Sequence, residues 1–238
     1  MDCALWDLEA RKAGIAVWQL AGIVAPQPLV TAMTVSLGSP CKMETDARRL
    51  AARTSLIKLK LSGDGDSQRV AAVRRGAPQA RLIVDANESW TQRDVATRMA
   101  SLLPFGVELI EQPVKAEKDH ILDGIDSPIP LCADESVHDR ADLERCWGRY
   151  QAINIKLDKA GGLTEALALR TEAQAMGFKV MVGCMLGTSL GIAPAFLVAQ
   201  GVDWVDLDGA LLLASDRDER FELEGGVLNP PPTWKSVL

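Results

Sequence analysis

Short apolar runs, each closed by a charged side chain, recur along this chain at regular intervals. The runs TAMTVSL (31–37), SLIKLKL (55–61), RLIVDA (81–86), VELIEQ (107–112), IPLCADE (129–135), QAINIKL (151–157), KVMVGC (179–184) and DWVDLDG (203–209) predict eight β-strands. Between them, stretches such as DSQRVAAVRRGAP and GLTEALALRTEAQAMG carry apolar residues at helical spacing. The closing residue advances by a near-constant step: 25 residues from Lys60 to Asp85, 26 to Glu111, 23 to Asp134 and 22 to Lys156. A further 50, or two steps, leads to Asp206. One strand, one crossover helix and two loops need about this length, and strands joined by helices run parallel. The expected fold is therefore α/β, a (β/α)8-type barrel. An open doubly wound sheet would call for a Gly-rich phosphate turn after its first strand, and the sequence has none there.

The two ends depart from this rhythm. Residues 1–24 predict a helix ended near Gly14 or Gly22, ahead of the first strand. After the last strand, ALLLASDRDER is too short for a clear helix, and FELEGGVLNPPPTW reads as a turn-rich tail. The run Pro230–Pro232 excludes helix or central strand there. The organisation expected is an N-terminal helix and linker over 1–24, a barrel over 25–220 and a C-terminal tail over 221–238.

Composition narrows the class. The chain has 238 residues, 47% of them hydrophobic and 24% charged, enough for a sizeable core. A net charge of −6 gives no basic stripe for nucleic acid. Cys3, Cys41, Cys132, Cys146 and Cys184 are odd in number, with no CxxC pair, and read as reduced thiols of a cytoplasmic protein. Asp2, Asp7 and Glu9 interrupt any signal-peptide core. Val180–Val202 is free of charge for about a bilayer's length, but its glycines and Pro194 fit a strand, a loop and a buried helix better than a membrane span.

The closing residues carry the chemistry. An ionisable group at the tail of a buried strand is costly unless it faces a site, and barrel active sites lie at the C-terminal strand ends. Asp85, Glu111 and Asp134 come from three consecutive strands. Three carboxylates without His or Cys suit a hard cation, Mg2+ or alternatively Mn2+. Taken singly, each could be a strand-end acid or a helix cap; the one-unit spacing of all three argues for a common site. Lys60 and Lys156 belong to strands flanking the acidic set and would face each other across the mouth. Lys58 shares the face of Lys60 by the period-two alternation and can depress its pKa from the ordinary value of about 10.4. Two bases on opposite faces of one carbon, beside a cation gripping a carboxylate, suit 1,1-proton transfer through an enediolate.

The set LIKLKL, LIVDAN, ELIEQP, ADES and NIKLDKAGG resembles the enolase superfamily, specifically its muconate-lactonizing-enzyme subgroup, along essentially the whole chain. That resemblance implies the (β/α)7β variant of the barrel, in keeping with the missing last helix. A mandelate-racemase-like His base is not expected, because His120 and His138 lie away from strand ends. DLDGALLL after GCMLGTSLGIAPA is similar to the dipeptide epimerases, those acting on Ala-Glu among them. The resemblance implies that Asp206 and Asp208 hold the ammonium of a small-molecule dipeptide, that Lys60 and Lys156 work on the C-terminal residue's α-carbon, and that Asp85, Glu111 and Asp134 hold Mg2+ against its carboxylate. It further implies that residues near Cys184–Ser189 line the pocket and that an N-terminal capping domain belongs to the family pattern, with no counterpart in this sequence; monomer and homo-oligomer both stay open. Chemistry of the o-succinylbenzoate synthase, N-succinylamino-acid racemase or cycloisomerase kind is the alternative within the superfamily. A catalytically inert capless barrel is the alternative outside it.

Overall fold

Runs of aliphatic residues produce the strands, and each of the eight predicted ones lies where the hydrophobic pattern places it. The structure, a computed structural model, describes residues 1–230; Pro231, Pro232 and the rest of the predicted tail lie outside the described residues. The strands are β1 (Leu29–Val30), β2 (Met33–Val35), β3 (Leu56–Lys60), β4 (Arg81–Asp85), β5 (Val107–Glu111), β6 (Leu131–Ala133), β7 (Ala152–Ile155), β8 (Lys179–Gly183), β9 (Trp204–Asp206), β10 (Glu222–Glu224) and β11 (Val227–Asn229). The eight predicted strands are β2 to β9, ordered in the sheet as they are in the chain, with parallel pairing from β2 through β7 and between β8 and β9. That order is the arrangement of a (β/α)8-type sheet.

The helices are α1 (Asp2–Ala13), α2 (Val17–Leu20), α3 (Pro40–Ala51), α4 (Asp66–Gly76), α5 (Val95–Leu102), α6 (Leu143–Cys146), α7 (Leu157–Ala160), α8 (Leu163–Ala175) and α9 (Ser189–Val198). Local rules account for their limits. Gly14, at φ 68°, caps α1 in the left-handed conformation and returns its N–H to the carbonyls of Ala10 and Arg11. Ser39 caps α3 by accepting from the Lys42 amide, Pro40 opens the helix, and Met43, Ala47 and Leu50 form its buried stripe. No helix among the described residues is long and apolar enough to cross a membrane, and the stretch 180–202 resolves into β8, a loop and α9.

Three departures from the expected pattern have physical causes. The connection from β5 to β6 holds a 3-10 segment, Ala116–Leu122, where a crossover α-helix was expected. Lys118, at φ −119° and ψ 19°, interrupts the helical geometry inside this segment. The region 1–24 is two helices rather than one. The tail is more than turns: β10 and β11 pair antiparallel, and β11 pairs with β1, with Leu29 opposite Leu228. Gly225 and Gly226, at φ 57° and 82°, supply the tight turn between β10 and β11. Among the described residues β9 is followed by a 3-10 turn, Gly209–Leu212, and by no α-helix, as the (β/α)7β expectation requires.

The chain divides into two compact units. One comprises Ala32–Val137 and Ala141–Asn154; the other comprises Met1–Thr31, His138–Arg140 and the described part of the segment from Ile155 onward. The first has a core of strand residues such as Ile57, Leu59, Leu82, Ile83, Leu109 and Ile110, with helical partners Met43, Val73 and Met99. The second packs Leu163, Leu169, Val180, Met181, Phe196 and Leu228.

Candidate active site

In the first unit, β3, β4 and β5 end side by side. The ladder registers Lys60 with Asp85, and Asp85 with Glu111. Ile57 and Leu59 are fully buried, whereas Lys58 and Lys60 take the alternate face, as the period-two reading anticipates. That face is dry: Lys58 is 2% exposed, Asp85 0% and Glu111 1%. Lys58 Nζ lies 2.6 Å from Glu111 Oε2 and 3.3 Å from Asp85 Oδ2. Lys60 Nζ lies 2.6 Å from the same Asp85 oxygen. Asp85 Oδ1 accepts from the Asn87 amide at 2.9 Å, and Glu111 Oε1 accepts from Asn154 Nδ2 at 2.7 Å. Burial pushes the Asp85 carboxyl up, but the ammonium groups of Lys58 and Lys60 outweigh it and hold the group below the ordinary carboxylate range.

Asp134 follows β6 and is buried, near enough for its charge to oppose ionisation of Asp85. Its backbone N–H donates to Gln112 Oε1 at 2.8 Å. Next to it, burial and then the Asp134 charge push Glu135 up. Among the described residues no three His, Cys, Asp or Glu side chains stand in ready-made ligand geometry. The donor chemistry nevertheless fits a hard cation. Asp85, Glu111 and Asp134 offer only oxygen, sit at three consecutive strand ends, and two of them already hold positive charge, in the form of lysine ammonium groups.

Behind this face is a polar network that the strand pattern does not reveal. Gln112, Ser136, Asp119 and Tyr150 are all buried. Tyr150 and Ser136 hydroxyls donate to Asp119 Oδ1 at 2.6 and 2.9 Å. Asp119 Oδ2 has no partner, and burial pushes this carboxyl above the ordinary range despite those two bonds. An acid whose pKa is raised in the folded state contributes most stability below its unfolded pKa and loses it as pH rises through the folded value. Asp119→Asn should therefore flatten the fall in stability above the ordinary carboxylate pKa, measured by urea denaturation across pH. An unchanged profile would contradict that assignment.

The only described non-glycine residues with positive φ are Asn87 (44°), Glu88 (62°) and Gln112 (35°), all just beyond β4 and β5. Such strained backbone persists where surrounding bonds over-determine it and is concentrated at functional sites. Here the Glu88 N–H donates to the Gln112 carbonyl, and Glu88 Oε1 accepts from the Ala116 amide. Asn154, missed as a site residue, was detectable: it is polar within AINIKLD and two positions before Lys156. Asp119 and Tyr150 have no comparable signature.

In the second unit, Lys156 is half-buried and precedes α7, its carbonyl accepting from the amides of Lys159 and Ala160. Asp206 closes β9 opposite Gly183 of β8, and Asp208 opens the following 3-10 turn; both are buried. Leu207, between them, donates its N–H to the buried Thr31 hydroxyl at 2.8 Å. A Cβ on Gly209 would stand 2.5 Å from the Met185 carbonyl and 2.9 Å from Cys184 Sγ, so the loop after β8 lies directly against the turn bearing Asp208. In that loop Met185 and Leu186 are exposed, and Ser189 is anchored to Asp216 and Phe221. The structure thus gathers Lys58, Lys60, Asp85 and Glu111 with Asp134 nearby in one unit, and Lys156, Asp206 and Asp208 occupy strand ends of the other.

A parallel α/β barrel with lysines and carboxylates at its strand ends is the enolase type of site. Residues 42–233 match the model of the Enolase C-terminal domain-like family, and the chain belongs to that family. It is 46% identical over 230 residues to the L-Ala-D/L-Glu epimerase of Escherichia coli (strain K12), covering 96% of this chain and 72% of that protein. It is 43% identical to an N-acetyl-D-glutamate racemase of Pseudoalteromonas sp, covering 97% and 72%. An enolase family member from Agrobacterium tumefaciens with homology to dipeptide epimerases, whose structure holds sodium and L-Ala-L-Glu, superposes with a TM-score of 0.92 at 50% identity, covering 96% of this chain and 70% of that one.

Proposed function

We propose that this protein is an isomerase that epimerises a dipeptide of the Ala-Glu type at the α-carbon of its C-terminal residue, with Mg2+ as cofactor. The observation that carries the reading is the buried meeting of Lys58, Lys60, Asp85 and Glu111 at adjacent strand ends. The family membership and the epimerase relative support it. Asp85, Glu111 and Asp134 are the residues that would hold the cation, which supplies positive charge where the substrate carboxylate becomes more negative. Lys60 removes the α-proton from one face, and Lys156 returns one from the other. Lys58 helps hold Asp85 ionised, pairs with Glu111, and adds positive charge beside the substrate oxygens. Asp206 and Asp208 bind the free ammonium of the dipeptide. Five free thiols suit a reducing, cytoplasmic setting.

The racemase relative favours a second reading, racemisation of an N-acylated amino acid. That substrate lacks an ammonium, so the two readings separate at one side chain. Loss of a desolvated charge partner costs about 2 kcal/mol or more, roughly thirtyfold in kcat/KM. Asp206→Ala should cause at least that loss for L-Ala-L-Glu and leave an N-acylated glutamate unaffected. The direct test is Mg2+-dependent uptake of solvent deuterium at the glutamate α-carbon, followed by NMR. Uptake into an N-acylated substrate alone would replace the first reading by the second; no uptake into either removes both.

A further inference from the structure

Gln112 is the hub of the polar network behind the acidic strand ends, and nothing in the proton-transfer reading uses it. It directly follows Glu111, is 0% exposed, and holds φ at 35°, a conformation that L side chains adopt at a cost. Its Oε1 accepts from the backbone amides of Asp134 at 2.8 Å and Ser136 at 3.2 Å. Its Nε2 faces the Val114 carbonyl at 2.9 Å, Ser136 Oγ at 2.7 Å and Tyr150 OH at 3.0 Å. Its main chain joins two further loops, donating to the Cys132 carbonyl at 2.9 Å and accepting from the Glu88 amide at 2.8 Å. The carboxamide is orientated by these partners: two donors face the oxygen, and a carbonyl that can only accept faces the nitrogen. A β-branched or apolar residue here would leave the Asp134 and Ser136 amides buried without an acceptor.

We infer that Gln112 is a positioning residue: by accepting the Asp134 and Ser136 amides it sets the turn that aims the Asp134 carboxylate at the cation shared with Asp85 and Glu111. The inference rests on the reading of those three carboxylates as the cation site. Groups that orient a ligand in this way typically change metal affinity by about 10–100-fold when lost. The side chain's two ends make separable contributions. The oxygen accepts the backbone amides of Asp134 and Ser136; the nitrogen donates to the Val114 carbonyl and to the Ser136 and Tyr150 hydroxyls.

The experiment is Mg2+ titration of the full chain by isothermal calorimetry, beside urea denaturation, for the parent, Gln112→Met and Gln112→Glu. Met fills the space and removes the acceptor, so a Kd for Mg2+ weaker by about 10–100-fold is expected. Glu keeps an oxygen for both amides and puts a carboxyl oxygen in place of the donor, so its Mg2+ affinity should not show the weakening of about 10-fold or more expected of Met, even though both variants lose stability. That split is one that a purely structural role would not produce. Parent-like affinity in folded Gln112→Met overturns the inference, and so does equal weakening in both variants. If Gln112→Met does not fold, Gln112→Glu decides: retained affinity supports the inference, lost affinity in a folded protein overturns it. Absence of Mg2+ binding by the parent overturns the cation-site reading itself, and the two failures are thereby distinguished.

Discussion

Lys58→Met is expected to cost about 3–5 kcal/mol of stability in the presence of a chelator, the usual penalty for leaving a buried charge without its partner. Methionine preserves the length and apolar stem of lysine and removes only the ammonium. That ammonium lies within 3.3 Å of both Asp85 and Glu111, and neither carboxylate has access to water. Lys60 can compensate Asp85, on which it already sits, whereas Glu111 pairs with the Lys58 ammonium at 2.6 Å. The loss should therefore be relieved by Mg2+, because a cation bound by the folded state alone stabilises it by about 2.7 kcal/mol at one hundred times its Kd. Urea denaturation with EDTA and with Mg2+ measures both quantities. A loss below about 1 kcal/mol, the scale of an exposed pair, would mean that this pair is not the dry contact seen here. An equal loss in both buffers would show that Mg2+ does not take over the charge.

The second large effect concerns the bases. Lys60→Ala and Lys156→Ala should each lower epimerisation of L-Ala-L-Glu by about 10²–10⁴-fold, the contribution of a positioned general acid or base. Each variant retains one lysine, so each should still exchange the α-hydrogen of one epimer with solvent. The two variants should select opposite epimers. Deuterium incorporation into L-Ala-L-Glu and L-Ala-D-Glu, followed separately by NMR, makes the comparison. Exchange of the same epimer by both variants would rule out a two-base inversion, and undiminished turnover in either would remove that lysine from the chemistry. Lys60 is the more accessible of the β3 lysines, with 36% of its side chain exposed against 3% for Lys58. This is consistent with Lys60 meeting substrate and Lys58 holding the carboxylates.

These effects have different origins in the chain. The assignment of Lys58 and Lys60 to one face, and of Asp85 and Glu111 to the ends of neighbouring strands, was legible because strand side chains alternate with period two and the unit repeats at about 25 residues. Asn154 obeys the same rule and could have been read from its place before Lys156. The 3-10 segment at 116–122 was hidden because its apolar residues do not distinguish one helical form from another over so short a stretch. The pairing of β1 with β11 joins residues almost two hundred positions apart, and no local pattern encodes such a partner.

By itself, the sequence determined the eight parallel strands, their order and the residue types presented at their ends, because alternation and unit length are local properties of the chain. Only the tertiary structure decided which charges meet. That Lys58 turns to Glu111 and Lys60 to Asp85 depends on side-chain reach between strands. That Gln112 leaves the strand at a positive φ to hold the Asp134 amide, and that Asp119 is buried with one oxygen lacking a partner, depends on how loops from different repeats pack together. Such contacts join residues far apart in the chain, and they form because burial makes an unpaired polar group costly, which no local sequence pattern records.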